Sequence, residues 1–196
     1  MLAAAILAAG ESRRMGAPKA LQVIRGKSFV ERLLIATKNP RIGLRRIVLG
    51  AQAEEIRGQL ISGDAEIVVN ADWPKGQLSS IHAAIRSLPE GHTEGLLLCP
   101  VDHPLVSPHV VAHLINAFDA GGKKIIVPVF QGRRGHPVIF HASLYEELLA
   151  ASPDVGARQV VRAHPDDIAE VATEEQGVVL NLDDPEAMRK AEQTRL

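Results

Sequence analysis

The chain has 196 residues, with 22 Lys and Arg against 23 Asp and Glu, a formal net charge of −1, and 46% hydrophobic residues of which few are aromatic. That balance leaves no general basic field for a nucleic-acid backbone or an anionic membrane, and it requires a core of Ala, Leu, Ile and Val, as in α/β proteins with buried parallel strands. One cysteine, Cys99, excludes an internal disulfide and a Cys-based zinc site, and no apolar run approaches the ~20 residues of a bilayer span, so the expectation is one cytoplasmic domain, residues 1–196, without nucleic-acid or membrane partners.

The predicted elements begin with a strand over Leu2 to Ala8, which empties at Gly10 into a basic loop holding Arg13, Arg14, Gly16 and Lys19, with Glu11 its only acid. Gly10 and Gly16 can take positive φ and leave backbone N–H groups unshielded, so successive amides can converge on an anion. The three cations add charge, Arg as a planar fork and Lys as a point charge, and phosphate is the ligand such a loop favours. The spacing fits neither a dinucleotide fingerprint nor a Walker loop, because five residues separate the two glycines and Lys19 follows Gly16 by three. A solvated surface loop with a few cations is the plain alternative.

A short apolar piece, Leu21 to Val23, precedes a turn at Arg25-Gly26-Lys27. Ser28 to Glu31 has capping-box spacing and opens a helix whose stripe, Phe29, Val30, Leu33 and Leu34, ends near Pro40. Arg46 to Gly50 reads as a buried strand, Ala53 to Ile61 as an amphipathic helix and Glu66 to Asn70 as the next strand. This rhythm predicts right-handed crossovers and a mostly parallel sheet. A polar loop from Asn70 to Gly76 carries the only tryptophan, Trp73, and Gln77 opens a helix through Leu88, where Ser79 and Ser80 suit simple capping as well as ligand contact.

Gly95 to Pro100 is the most hydrophobic strand and runs straight into Val101-Asp102-His103-Pro104. Ligands of open α/β sheets bind beyond the carboxyl ends of the strands, so Asp102 and the loop after Gly10 are expected to face one crevice. A carboxylate there can hold Mg²⁺ among substrate phosphates; a turn or cap acid is the other reading. Cys99 is read as a small buried hydrophobe rather than a nucleophile. Ser107-Pro108 marks another helix start, Lys124 to Phe130 a strand, and Gln131 to Phe140 a basic, glycine-containing hairpin with an extended exit, for which a mere turn is the plain alternative. Ala142 to Ala150 and Val155 to Ala163 are helical in pattern, punctuated by Pro153 and Pro165. A last strand from Gly177 leads to a helix capped at Asp184 with Pro185 at its first position, and Asn181 and Asp183 share one face of that extended segment. A phosphate-binding loop and a strand-end acid in one crevice suit metal-assisted phosphoryl or nucleotidyl chemistry, where catalysis is mostly positioning and charge neutralisation.

Leu7-Ala8-Ala9-Gly10-Glu11-Ser12-Arg13-Arg14-Met15-Gly16-Ala17-Pro18-Lys19 resembles the L-A-A-G-x-S-x-R-M-G-x-x-K signature of nucleotidyltransferases with the MobA-like NTP-transferase fold. Gly76 and Ser80 fall on the family's Gly-x-x-x-Ser element, Asp102 on its metal aspartate, and Arg134-Gly135-His136-Pro137-Val138 on its R-G-H-P-V segment. The resemblance implies a single-domain, Rossmann-like α/β fold, mostly parallel, with helices on both faces. It implies transfer of a nucleoside monophosphate to a phosphorylated acceptor with release of pyrophosphate, using Mg²⁺, with Mn²⁺ as an alternative. Carried over residue by residue, it makes Arg13, Lys19 and Asp102 catalytic. Nucleotide binding goes to Leu7, Ala8, Ala9, Gly10, Ser12, Arg13, Arg14, Met15, Gly16, Lys19, Gly76 and Ser80, and acceptor binding to Arg134, Gly135, His136 and Pro137. The metal falls to Asp102 with Asp183 or Asn181, since Asn181-Leu182-Asp183-Asp184-Pro185 departs from the usual D-x-D-T-P or N-x-N-T-P at the Thr.

Within the family the likeness is to molybdenum-cofactor cytidylyltransferases, Ala8-Ala9-Gly10 favouring the cytidylyl over the guanylyl branch. CTP, molybdopterin and a molybdoenzyme or its chaperone are then the implied partners. Cytidylyl- or guanylyltransferases for other small phosphates share the first loop. From a different class, a nucleotide- or pterin-binding protein without turnover is the other reading.

Overall fold

Ala3, Ala4 and Ala5 give the first strand almost no side-chain bulk, so layers can pack closely on both sides of it, and in the computed structural model, which describes residues 1–193, all seven residues of β1 (Leu2–Ala8) are buried. Leu2, Ala4, Ile6 and Ala8 enter one core and Ala3, Ala5 and Leu7 the other, the period-2 alternation of a strand covered on both faces. After β1 come a tight hairpin of β2 (Val23–Ile24) and β3 (Lys27–Ser28), α1 (Phe29–Ala36), β4 (Ile42–Leu49), α2 (Ala53–Gln59), β5 (Glu66–Val69) and α3 (Gln77–Arg86). The chain continues through β6 (Gly95–Pro100), α4 (Pro108–Asp119), β7 (Ile125–Phe130), β8 (Arg133–Arg134), β9 (Val138–His141), α5 (Tyr145–Ala150), α6 (Arg158–Ala163), β10 (Ile168–Ala172) and α7 (Pro185–Gln193).

The main sheet runs β10-β7-β9-β6-β1-β4-β5, with β8 added beside β7. Each neighbouring pair is parallel except those made by β9, which is antiparallel to both β6 and β7, and the short antiparallel pair of β8 with β7. Phe29, Val30 and Leu33 of α1, Ile56 of α2, Val111 and Leu114 of α4 and Ala191 of α7 fill one core; Leu78, Ile81 and Ile85 of α3, Leu148 of α5 and Val160 of α6 fill the other. The result is a Rossmann-like α/β fold with a mainly parallel sheet and helices on both faces. β1 lies between β4 and β6, so the chain leaves it first to one side and later to the other, and the crevice beyond its carboxyl end is the switch point of the topology.

Local signals behave as their chemistry requires. The Ser28 hydroxyl accepts from the Glu31 N–H at 3.1 Å while the Glu31 carboxylate accepts from the Ser28 N–H at 2.7 Å, closing the capping box of α1. Ser107 caps α4 through the Val110 N–H, and Asp184 caps α7 through the Ala187 N–H at 2.8 Å. Three expectations need correction. β4 begins at Ile42 rather than Arg46, because Leu2 already pairs with Ile42; Arg45 and Arg46 disguise its start, and the 5%-exposed Arg46 answers its burial with Glu66 at 3.1 Å. The segment after Gly177 is no strand: a short 3-10 turn spans Gln176–Val178, the Val178 carbonyl accepts from His136 N–H at 2.8 Å, and the Leu182 N–H donates to the Asp102 carbonyl at 2.8 Å. Its backbone groups are spent on loops at the strand ends, not on a ladder. The last strand is instead β10, parallel to β7, in a stretch to which the sequence pattern assigns no element.

Candidate active site

The loop after β1 is fixed at both ends and exposed in between. Ser12 and Gly16 adopt positive φ (57° and 72°) on either side of a 3-10 turn at Arg13–Met15, and the Ser12 hydroxyl accepts from the Lys19 N–H at 3.0 Å. Met15 is turned into the core, anchoring the turn rather than facing a ligand. Leu7, Ala8 and Ala9 are buried, and Gly10 stands exposed where β1 ends. The three cations diverge. Arg13 is mostly exposed and pairs with Glu11 at 2.7 Å; Arg14 reaches Asp183 at 2.8 Å; and the Lys19 ammonium, 15% exposed, pairs with the other oxygen of Asp183.

Two adjoining cavities open at the carboxyl ends of β1 and β6. The first, about 220 Å³, is lined by Gly10, Ser12 and Lys19 from the loop, by Gly76, Gln77 and Ser80 at the start of α3, and by Asp102 after β6. Leu7, Gln77 and Pro100 form the wall it shares with the second, about 310 Å³, into which His136 projects from the turn before β9. Asp102 and His136 are bridged by a buried histidine: His103 Nδ1 lies 2.9 Å from Asp102 Oδ1, and its ring meets that of His136 edge-on at 4.8 Å between centroids. Burial pushes the Asp102 carboxyl up, but the His103 hydrogen bond and the nearby Lys19 ammonium outweigh it and hold the group below its ordinary value. Burial and the neighbouring His103 push His136 down to about 4 against the pull of Asp102, so its ring is neutral at pH 7.

The structure therefore gathers Leu7, Ala9, Gly10, Ser12, Lys19, Gly76, Ser80 and Asp102 around one cavity, with Asp183 joined to it through Lys19. It separates Arg134 from His136: Arg134 in β8 is half exposed and pairs with Glu170 of the edge strand β10 at 2.7 Å, and it does not line the second cavity. Gly135 is packed so tightly that a Cβ would sit 2.3 Å from the Val178 carbonyl oxygen, and the His136–Pro137 peptide is cis. Asn181 is exposed, whereas Asp183 is part-buried against the loop cations.

Of the acids expected to hold a divalent cation, Asp102 keeps one carboxylate oxygen free of His103, whereas both oxygens of Asp183 are taken by Lys19 and Arg14; the backbone bond from Leu182 to Asp102 ties the two segments together. Among the described residues no three His, Cys, Asp or Glu side chains form a closed cage. Such a cation would take its remaining oxygens from substrate phosphates, as Mg²⁺ commonly does.

Other residues of the site escape sequence reasoning. Asn70, 5% exposed at the end of β5, donates to Ser79 Oγ at 2.8 Å and Ser80 Oγ at 3.1 Å and accepts from the Asp72 N–H, so it orients the start of α3 and the Trp73 loop at once. Trp73 lines the first cavity and packs on Gly50, where a Cβ would lie 2.5 Å from the Trp73 Cβ. The segment Pro153–Arg158 lines the second cavity. The available signal for Asn70 was its place at a strand end; for Pro153–Arg158 it was the proline and a helical pattern from Val155, but the helix begins only at Arg158 and the residues before it form a turn.

Comparison with known proteins bears on the family and the fold. Residues 4–168 match the model of the MobA-like NTP transferase domain. The chain is 36% identical over 130 residues to the bifunctional protein GlmU of Prochlorococcus marinus, a match taking in 64% of this chain and only 28% of that protein, so the chain spans little more than a quarter of that relative's length. It is 32% identical over 174 residues to nicotine blue oxidoreductase of Paenarthrobacter nicotinovorans, covering 82% of this chain and 81% of that protein. Among solved structures, Rv0371c of Mycobacterium tuberculosis superposes with a TM-score of 0.87 at 24% identity over 98% of this chain and 97% of that one, and a further structure of it is a complex with manganese. The molybdopterin-guanine dinucleotide biosynthesis protein A of Archaeoglobus fulgidus superposes with a TM-score of 0.70 at 23% identity over 98% and 97% of the two chains. The structural likenesses establish the fold, the sequence matches reach further, and together they show that this chain belongs to the MobA-like NTP transferase family.

Proposed function

We propose that residues 1–196 form one nucleotidyltransferase domain that moves a nucleoside monophosphate, CMP from CTP, onto a phosphorylated acceptor of the molybdopterin kind. The observation carrying this reading is that Lys19 of the anion-binding loop and Asp102 at the end of β6 line one cavity at the switch point of the sheet. An oxygen of the acceptor phosphate attacks the α-phosphorus, the bond from that phosphorus to the β-phosphate bridging oxygen breaks, and pyrophosphate leaves with the electron pair. Gly10 and Ser12 present backbone donors to the phosphates, and Lys19 carries the charge that builds on the leaving pyrophosphate. Arg13 and Arg14, on the exposed side of the loop, add long-range attraction. Gly76, Gln77 and Ser80 form the opposite wall. Asp102, kept ionised and oriented by His103, and Asp183 would hold Mg²⁺ or Mn²⁺, which when bound neutralises the phosphates and aligns them for displacement. The acceptor side is assigned to the second cavity through His136; Arg134 would have to leave Glu170 to take part.

A redox role of the kind the Paenarthrobacter relative's name carries is favoured by one feature, the group of apolar side chains Leu78, Ile81, Leu98, Val138 and Phe140 lining the second cavity. Pyrophosphate release separates the two. With Mg²⁺, CTP and molybdopterin, the protein is expected to release pyrophosphate, with CTP preferred over GTP. Oxidation of a reduced nicotinamide dinucleotide by a flat dye, with no pyrophosphate from any NTP, would decide for the redox reading. Lys19→Ala is expected to weaken CTP far more than CMP, since the lost contact lies on the leaving group.

A further inference from the structure

The inner side of α4 is spent on Val110, Val111, Leu114, Ile115 and Phe118, which seat the helix firmly in the core. Its outer side holds an arrangement that neither cavity uses. His109 and His113 are four residues apart, both exposed, and so lie on successive turns of one helix face. Their imidazoles meet with ring centroids 4.0 Å apart and planes inclined by 53°. Neither ring makes a hydrogen bond or ion pair among the described residues, so protein groups leave the ring nitrogens uncommitted.

Imidazole nitrogen is a ligand for Zn²⁺, Ni²⁺ and Co²⁺, and two histidines at i and i+4 on a helix have the spacing from which both can reach one ion. A helix held by its buried face offers such a pair with little ordering left to do on binding. α4 carries no Lys or Arg that would repel a dication, and Asp119 at its far end is its only charged side chain. The positive end of the helix dipole opposes a cation near His109, but that effect fades within the first turn and is small beside ligation by two nitrogens. Among the described residues no third His, Cys, Asp or Glu completes a cage, which leaves the remaining positions to water. Neither histidine lines the cavities at the strand ends, and the donor chemistry differs from that of Asp102, whose oxygens suit Mg²⁺.

We propose that His109 and His113 form a separate metal site, a two-nitrogen clip on the outer face of α4 that takes a borderline divalent ion of the Zn²⁺, Ni²⁺ and Co²⁺ class and rejects Mg²⁺. The proposal stands apart from the nucleotidyl-transfer reading, because a chain that releases no pyrophosphate from any NTP would still bind the ion here.

Calorimetric titration of the full chain, free of any histidine tag and kept in excess Mg²⁺ so that oxygen sites are occupied, tests it with Ni²⁺, Co²⁺ and Mn²⁺. Ni²⁺ is expected to bind more tightly than Co²⁺, and Co²⁺ more tightly than Mn²⁺. His109→Ala and His113→Ala should each weaken Ni²⁺ at least about tenfold, since the second ligand of a clip acts at high effective concentration once the first is bound. The double variant should lose little more than either single one, because one missing arm already opens the clip. His109→Phe keeps a ring beside His113 and removes the nitrogen; it should weaken Ni²⁺ as far as His109→Ala does, with an unchanged urea midpoint in the absence of metal. Ni²⁺ affinity unmoved in the double variant would mean that the two rings only pack on each other, and overturns the proposal. So does Ni²⁺ binding that survives in the double variant and is lost in His103→Ala, which would put the ion in the cleft beside Asp102.

Discussion

Asp102 and Cys99 are three residues apart and have opposite electrostatic fates. Asp102 lies beyond the strand end, where His103 and Lys19 keep it charged despite its burial. Asp102→Asn keeps an acceptor for His103 and removes the charge, so the fold should persist while metal-dependent turnover falls by about two to three orders of magnitude. Circular dichroism together with pyrophosphate release at saturating Mg²⁺ checks this, and near-normal turnover would remove Asp102 from the metal. Cys99 lies inside β6 at 2% exposure, and burial alone pushes its thiol up to about 12. A thiol protonated and enclosed in this way is a poor nucleophile. It should label with a thiol reagent only after denaturation in urea; equal rates in native and unfolded protein would place it at an accessible surface.

At the scale of elements, the site depends on the irregular segment that returns from β10 to α7. Val178 packs on Gly135 and accepts from His136, Gly177 packs on the Leu105 carbonyl, and Leu182 bonds to Asp102, so this segment braces both cavities from outside the sheet. Gly135→Ala should cost about 1–3 kcal/mol, because its Cβ would meet backbone rather than a side chain that can move. Urea unfolding measures that loss, and an unchanged midpoint would mean that the segment yields freely. The same segment brings Asp183 against Arg14 and Lys19, where, under the proposed function, it would compete with a triphosphate for both cations. Asp183→Asn is therefore expected to tighten CTP about fivefold without divalent metal, a release on the order of 1 kcal/mol, and to weaken the added gain from Mg²⁺. Titrations with and without Mg²⁺ test the two signs separately; weaker CTP in both would show that Asp183 shapes the loop rather than competing for it.

Across the whole molecule, the two ends of the sheet do different work. The carboxyl ends hold the cavities, while at the other end Glu94, before β6, joins Arg41, before β4, and the Met1 amino group, with Arg41 also reaching Asp119 at the end of α4 at 3.0 Å. The Arg41 hydrogen bond, helped by the amino group, pulls the Glu94 carboxyl from its ordinary 4.5 down to about 2. A carboxyl depressed by folding contributes stability above its unfolded value and loses it as pH falls through the folded one. Since Glu94 is half exposed, solvent screening limits that contribution to about 0–1 kcal/mol. Glu94→Gln should thus be slightly less stable than the parent at pH 7, with the difference vanishing as the pH is taken from 4.5 to about 2. Chemical unfolding at both limits checks it, and a difference that persists in acid would belong to packing instead.

The sequence by itself determined the α/β class, most of the strands, the capped starts of α1, α4 and α7, and the family, because each is written in local chemistry. Apolar runs interrupted by glycine, a Ser three residues before a Glu, and a loop of fixed order after β1 need no distant partner to be read. Tertiary structure alone decided which side chains share a cavity. Arg134 and His136 are two apart in sequence, yet one pairs with an edge strand and the other faces the site, because β8 joins β7 while the turn after it packs on Val178. Lys19 and Asp183 are 164 positions apart and in contact. Asn70 and Arg158 carry no motif; they matter because strand order delivers the ends of β5 and β6 and the entry to α6 to neighbouring walls. Pairing between strands and the course of an irregular segment are set by long-range packing, which has no period in the sequence, and that is why the loop, Asp102 and His136 were legible as residues but not as two adjoining cavities.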